Sequence, residues 1–338
     1  MSALDLDIVV TRGRAIEARH VVHAAVIDGA GRAVAFAGNP DTVSPWRSCA
    51  KPFQVHPFLA DGSWATLGWG DDRLALACAS HGGEPEHVAL AAAMLADLGL
   101  TEDALACGPH EPLAPRGARL AAESRRSLSR LHNNCSGKHA AMLAAATVHR
   151  WPTAGYDAPA HPVQARIRAA LPHFTGLAAD AVETAIDGCG VPVFILPLRA
   201  MATAWARLAH AAHDDPAAHR ILDAMGTHPF LVGGTDRFDT LVIEATAGNV
   251  IAKIGAEGVH ALCIRDRGLG LAVKVADGAG RAQFPAVLHL LRSLHALPDP
   301  LPPALQDLLV APVHDTRGAR VGTIRPTALD PDERMMPA

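Results

Sequence analysis

Arg47-Ser48-Cys49-Ala50-Lys51-Pro52-Phe53-Gln54 stands where a strand-like opening gives way to helix-like sequence. Ser48 and Lys51 are three residues apart, so on a helix they share a face. A serine hydroxyl is a weak nucleophile until a base takes its proton. A lysine serves as that base once burial or a neighbouring cation lowers its pKa. The positive end of a helix dipole disfavours the ammonium and favours a developing oxyanion. Taken alone, this spacing also describes a capping serine beside a solvated lysine, and chance produces it often.

Outward from that segment the chain keeps a definite order. Upstream, His20 to Ile27 and Arg32 to Ala37 flank Asp28-Gly29-Ala30-Gly31, a hairpin pattern whose glycines accept positive φ. Downstream, Glu86 to Leu98, Gly137 to Val148, His161 to Leu171 and Leu198 to Ala212 carry helical spacing. Pro85 and Pro162 stand where a first helical turn tolerates proline. Strand patterns return at Thr240 to Glu244, Val250 to Gly255, Val259 to Cys263 and Gly270 to Val275. A helix pattern from Phe284 to Leu297 precedes a last strand around Gly322-Thr323-Ile324. The expectation is one α/β (α+β) domain over 1–338, strand-rich over 1–46 and 240–330 and helix-rich over 47–239. First and last strands would share one largely antiparallel sheet, with a cleft between sheet and helices.

Two more segments join the first. Cys78-Ala79-Ser80-His81-Gly82-Gly83-Glu84-Pro85 ends an apolar run at a hydroxyl and enters a helix through two glycines, which let backbone approach a ligand. Ile251-Ala252-Lys253-Ile254-Gly255 places a lysine inside an apolar strand, where an unpaired charge is costly to bury. Ser-x-x-Lys on a helix, a second serine, then Lys-x-Gly on a late strand parallels the serine β-lactamases and penicillin-binding proteins. His132-Asn133-Asn134-Cys135-Ser136-Gly137-Lys138-His139 and Asp187-Gly188-Cys189-Gly190 hold two cysteines in Gly-containing loops. These are thiolates for a borderline metal or simply buried thiols, and spacing alone leaves both open. His228 to Thr240 clusters Arg237 with Asp236 and Asp239 around a Gly-Gly turn, suited to the charged ends of an amino acid or to a salt-bridged loop.

Together these segments, with Cys107-Gly108-Pro109-His110, resemble the rhizobial-type (class 3) L-asparaginases of the asparaginase II family. The resemblance covers nearly the whole chain, and the run Asn133 to His139 is its most specific part. It implies a serine β-lactamase-like fold and hydrolysis of L-asparagine to L-aspartate and ammonia through an acyl-enzyme. It implies two Ser-Lys pairs, Ser48 with Lys51 and Ser80 with Lys253. It further implies zinc held by Cys135, Lys138 and Cys189, with Arg47, His139 and Asp187 near the substrate, and a homodimer. Three positions depart from the family pattern: Gly82 where a small hydroxyl residue is common, Ala141 where glycine is, and Glu111 where an aromatic is.

Composition narrows the partners. With 338 residues, about half apolar, the chain is long enough for a substantial core. A net charge of −4 without a basic stripe argues against nucleic acid and against an anionic membrane surface. No apolar stretch approaches a bilayer span, and no basic region followed by an apolar run opens the chain. The expectation is a cytoplasmic enzyme with six reduced cysteines. Its rivals are a glutaminase, another serine amidase or β-lactam-reactive acyltransferase, and a zinc-binding sensor on the same fold. A sensor has no need for two activated hydroxyls.

Overall fold

The structure, a computed structural model, describes residues 2–124 and 127–329. Its centre is a six-stranded sheet in the order Ser2–Ala3, Ala33–Ala37, Val22–Ile27, Leu269–Val275, Val259–Ile264, Val250–Ile254. All neighbours are antiparallel except Ser2–Ala3 with Ala33–Ala37. The first hairpin and the late strands therefore meet in mid-sheet, where Ala24 pairs with Val273 and Ala25 with Ala272. The fold is mixed α/β with an antiparallel sheet, as the sequence predicts. The 1–338 span includes Met1, 125–126 and 330–338, which lie outside the described residues.

Period-two alternation sends side chains to both faces of this sheet. Ala25, Ile27, Ile251, Val259, Ala261, Cys263 and Ala272 face the helical middle of the chain. Val22, Ala24, Val26, Leu262, Leu271 and Val273 face the helices Gly280–Ser293 and Pro303–Leu309. A sheet covered twice explains why these strands read as nearly continuous apolar runs. The helix Leu198–Ala211 lies directly on it. A Cβ at Gly270 would come within 2.1 Å of Ala202 O and Ala206 N, so glycine lets helix backbone and strand touch. The same alternation puts Lys253 on the helical side, on the edge strand Val250–Ile254.

Two corrections follow. Thr240 to Glu244 is not a strand but part of the helix Phe238–Ala245. Its β-branched residues suit a strand locally, but packing against the sheet overrides that preference. The last strand, Arg320–Pro326, leaves the central sheet for a separate four-stranded one, Ala311–His314, Arg320–Pro326, Ile8–Arg12, Ala15–His20. Helix boundaries also shift, the late one running Gly280–Ser293. A third sheet of Val43–Pro45, Pro192–Pro197 and Glu183–Ile186 sits beside the site. Among the described residues no helix is long and apolar enough to cross a membrane.

Candidate active site

The small third sheet sets Ser48. Trp46 N–H donates to Phe194 O at 2.8 Å, anchoring the segment to the strand Pro192–Pro197. Arg47 then takes a φ of 53°, a left-handed conformation that a residue with a Cβ rarely adopts. Its Nε donates to Asp187 Oδ1 at 2.8 Å, and Gly188 N–H donates to the same oxygen at 2.8 Å. A 3₁₀ turn, Arg47–Ala50, runs into the helix Lys51–Ala60, with Pro52 in its first turn. Ser48 is half-buried and opens into a cavity of about 490 Å³.

Ser80 follows the helix Asp71–Cys78, where the backbone turns extended at Ala79. Lys51 Nζ donates to Ser80 Oγ at 3.1 Å, to Asn134 O at 3.3 Å and to Ala79 O. Lys253 Nζ donates to the same Ser80 Oγ at 2.7 Å and to Ile254 O at 3.0 Å. Lys51, Ser80 and Lys253 are 1%, 3% and 0% exposed, so water screens none of these contacts. Burial pushes the Lys253 amine down to about 8, the Lys51 ammonium pushes the same way, and the Asp239 carboxylate opposes both. Near pH 8 Lys253 is thus neutral in a substantial fraction of molecules and able to accept a proton.

Of the implied pairs, Ser80 and Lys253 are joined by a hydrogen bond, and Ser48 and Lys51 are not. Both lysines reach Ser80, whereas neither amine makes a hydrogen bond to Ser48 among the described residues. Ser48 and Ser80 nevertheless line one cavity, together with Arg47, Cys135, Asp187 and Cys189. Lys51 and Lys253 lie beneath Ser80, behind the wall. His139 is also behind it, fully buried, with Nδ1 2.6 Å from the Tyr156 hydroxyl. Tyr156 also accepts from Ala106 N–H at 2.9 Å, which fixes the hydroxyl beside the imidazole. Burial, then the Lys138 and Lys51 ammoniums, holds His139 well below the usual histidine range.

Cys135, Lys138 and Cys189 converge on one wall. Lys138 Nζ donates to Cys189 Sγ at 3.0 Å. The neighbouring Cys189 thiol, aided by the Lys51 and Lys138 ammoniums, holds Cys135 well below the ordinary thiol range. Cys189 moves up in turn, because it is the partner that keeps the proton. Two sulfurs and an amine, with Lys138 Nζ on Cys189 Sγ and Cys135 nearby, form a soft-to-borderline donor set that suits zinc. Among the described residues no group of three His, Cys, Asp or Glu side chains has metal-site geometry.

The sequence reading does not single out two contributors, His260 and Gln283, and gives Arg237 and Asp239 only as members of a charged cluster. Arg237 lines the cavity, donates to Leu113 O at 3.3 Å and pairs with no carboxylate among the described residues. Asp239, His260 and Gln283 stand behind Lys253. A polar residue in an otherwise apolar helix or strand, as in Val259-His260-Ala261-Leu262, was the available signal. Of the departures, Gly82 has a local reason: a Cβ there would meet Ala114 Cβ at 2.5 Å. Glu111 is exposed, and Ala141 is buried on the helix Ser136–Val148. Clefts of about 780 and 1020 Å³ elsewhere are larger but contain no Ser-Lys group.

Among solved structures, a protein described as Mglu in its native form aligns with TM-score 0.45 and 15% identity over 81% of this chain. The chain spans 64% of that protein's length. A β-lactamase from Mycobacterium bovis aligns with TM-score 0.33 and 14% identity, covering 82% of this chain and 96% of the other. Likenesses of that size carry no weight in assigning this protein, and a search of curated proteins found no matching sequence. The family described as L-asparaginase II, in contrast, matches residues 8–326. A match over nearly the whole length establishes that this protein belongs to the L-asparaginase II family.

Proposed function

We propose that the protein is an L-asparagine amidohydrolase that works through an acyl-enzyme. The observation that carries this reading is the buried Lys51–Ser80–Lys253 cluster beneath a cavity that also exposes Ser48. Ser48 is the more exposed of the two hydroxyls lining the cavity and is the proposed nucleophile. It attacks the side-chain amide carbon, its proton passes to the lysine system, and ammonia leaves with a returned proton. Water then releases aspartate. Catalytic hydrogen bonds often tighten only when substrate is bound, so the lack of a Ser48–Lys51 hydrogen bond among the described residues is compatible with this role. Arg237, a cation without a carboxylate partner among the described residues, suits the substrate α-carboxylate, and the Arg47-bound Asp187 suits its ammonium.

The direct test is ammonia release from asparagine, glutamine and a β-lactam, side by side. Asparagine should exceed glutamine in kcat/KM by at least about tenfold, because charged ends held at fixed points set the reach to the amide, and one methylene is worth about 1–3 kcal/mol. Equal kcat/KM for the two amides would favour a glutaminase, and no ammonia from either would favour the sensor. A homodimer in the cytoplasm belongs to the same proposal, and light scattering would measure the assembly.

Zinc is proposed at Cys135, Lys138 and Cys189, whose contacts fit it. Lys138 must give up its proton to bind a metal, and its ammonium is now stabilised by the two sulfurs. Bound there, zinc would supply a Lewis acid that orients a polar group of the substrate. The serine–lysine system already provides nucleophile and base, so chelation should raise KM more than it lowers kcat. Elemental analysis should give about one zinc per chain, lost in Cys135→Ser. Metal-free protein with normal substrate affinity in Cys135→Ser would return both cysteines to the role of buried thiols.

A further inference from the structure

Lys253 does not hold its own position. It sits on the edge strand Val250–Ile254, where the helix Phe238–Ala245 packs alongside. From that helix, Asp239 Oδ2 accepts Ile254 N–H at 2.9 Å and stands 3.9 Å from Lys253 Nζ. His260 Nε2 lies 3.0 Å from the other oxygen, Oδ1. The angle there falls outside that of a directed hydrogen bond, so the contact acts as a close electrostatic one. Gln283 Nε2 donates to Val259 O at 2.6 Å and faces His260 Nδ1 at 3.2 Å. Asp239, His260 and Gln283 are 2%, 0% and 3% exposed, and Phe238 stands edge-on to His260 at 5.0 Å.

We propose that Asp239, backed by His260 and Gln283, is the positioning residue that holds the Lys253 amine on Ser80 Oγ. It grips the strand through Ile254 and the amine through its charge. A buried carboxylate that did neither would be hard to explain, because burial alone raises its pKa and favours the neutral acid. Here His260, Lys253 and Ile254 N–H together overcome burial and hold Asp239 down to about 2. The groups acting on Lys253 are Asp239 from one helix, Lys51 from another, and the Cys49 and Cys135 thiols. Asp239 and the sulfurs favour the ammonium; burial and Lys51 oppose it. Asp239 thus keeps the amine basic enough to take a serine proton while burial keeps it from being permanently charged.

This inference rests on the reading of Lys253 as a base, but its test does not require amidase activity. The probe is ¹³C NMR of the full chain labelled at lysine Cε, with the Lys253 resonance assigned by its loss in Lys253→Met. Wild-type Lys253 should titrate near 8. In Asp239→Asn the midpoint should fall by about one pH unit or more, since a carboxylate at this range shifts a neighbour by about that much. His260→Leu, which frees the carboxylate to turn away, should shift it in the same direction, and His260→Gln, which keeps an N–H donor, should restore it. In an active enzyme the acid limb of kcat should move down by the same interval in Asp239→Asn, with KM little changed. A folded Asp239→Asn protein whose Lys253 midpoint does not move overturns the proposal. If that variant does not fold, identical midpoints in the two His260 variants and wild type overturn it. A wild-type chain without amidase activity whose midpoint still falls in Asp239→Asn refutes the activity and leaves the positioning role standing.

Discussion

Ser48→Ala lowers kcat/KM for asparagine by about four orders of magnitude or more, the scale seen when an acylated serine is removed. No other hydroxyl both opens to the cavity and begins the helix that carries Lys51. Ser80 lines the same cavity but is almost fully buried and already receives two lysine amines. With both amines charged, its lone pairs are occupied. Stability should change little, because Ser48 is only half-buried, and a substitution of this kind shifts folding by about 0.5 kcal/mol or less. Two measurements check the result: steady-state kinetics, and mass spectrometry of the acyl-enzyme trapped with a slow substrate. An adduct on the peptide containing Ser80, with turnover retained in Ser48→Ala, would transfer the nucleophile to Ser80 and leave Ser48 as a substrate contact.

Lys253→Met removes the amine that titrates near 8 and should reduce kcat by about 10²- to 10⁴-fold, the usual range for a lost general base. The wild-type enzyme should gain activity as pH rises through about 8 and level off above it, since the neutral amine is the active form. The sign for stability can be worked out separately. Lys253 has its folded pKa lowered from 10.5 to about 8, so between those values the unfolded chain binds the proton and the folded chain does not. Stability from this group therefore rises with pH across that window and is flat below it. Activity lost on going from pH 8.5 to 7 is then protonation of the base and not unfolding. Circular dichroism over the same range should show an unchanged fold. A profile in Lys253→Met that keeps the limb near pH 8 would assign it to another group.

What the sequence disclosed about this site follows the reach of its signals. Ser48 and Lys51 are local neighbours on one helix, and Lys253 stands out as a charge within an apolar strand, so all three were legible. Their partnership was not. Lys51 reaches Ser80 because the helices Lys51–Ala60 and Asp71–Cys78 pack together, and nothing in either helix alone encodes that distance. Asp239 was noticed in a charged cluster, but the segment beginning at Thr240 was read as a strand, which hid the helix that aims it at Ile254. The central sheet was legible from alternating and continuous apolar runs. The second sheet was not, because Ile8–Arg12 was not read as a partner for the last strand. The contact among Cys135, Lys138 and Cys189 joins two distant loops, and only the family resemblance pointed to it.

The central sheet also imposes a timetable on synthesis. Val22–Ile27 leaves the ribosome roughly 240 residues ahead of its partner Leu269–Val275. At about 5–20 residues per second, the early hairpin waits on the order of ten seconds or more with one edge unsatisfied. Lys253 and His260 arrive in the same late instalment. A nascent chain stalled before them would expose apolar strand edges without possessing a base beneath Ser80. Such a chain lacks the amine beneath Ser80, so the serine–lysine cluster is completed only once the segment carrying Lys253 has been made.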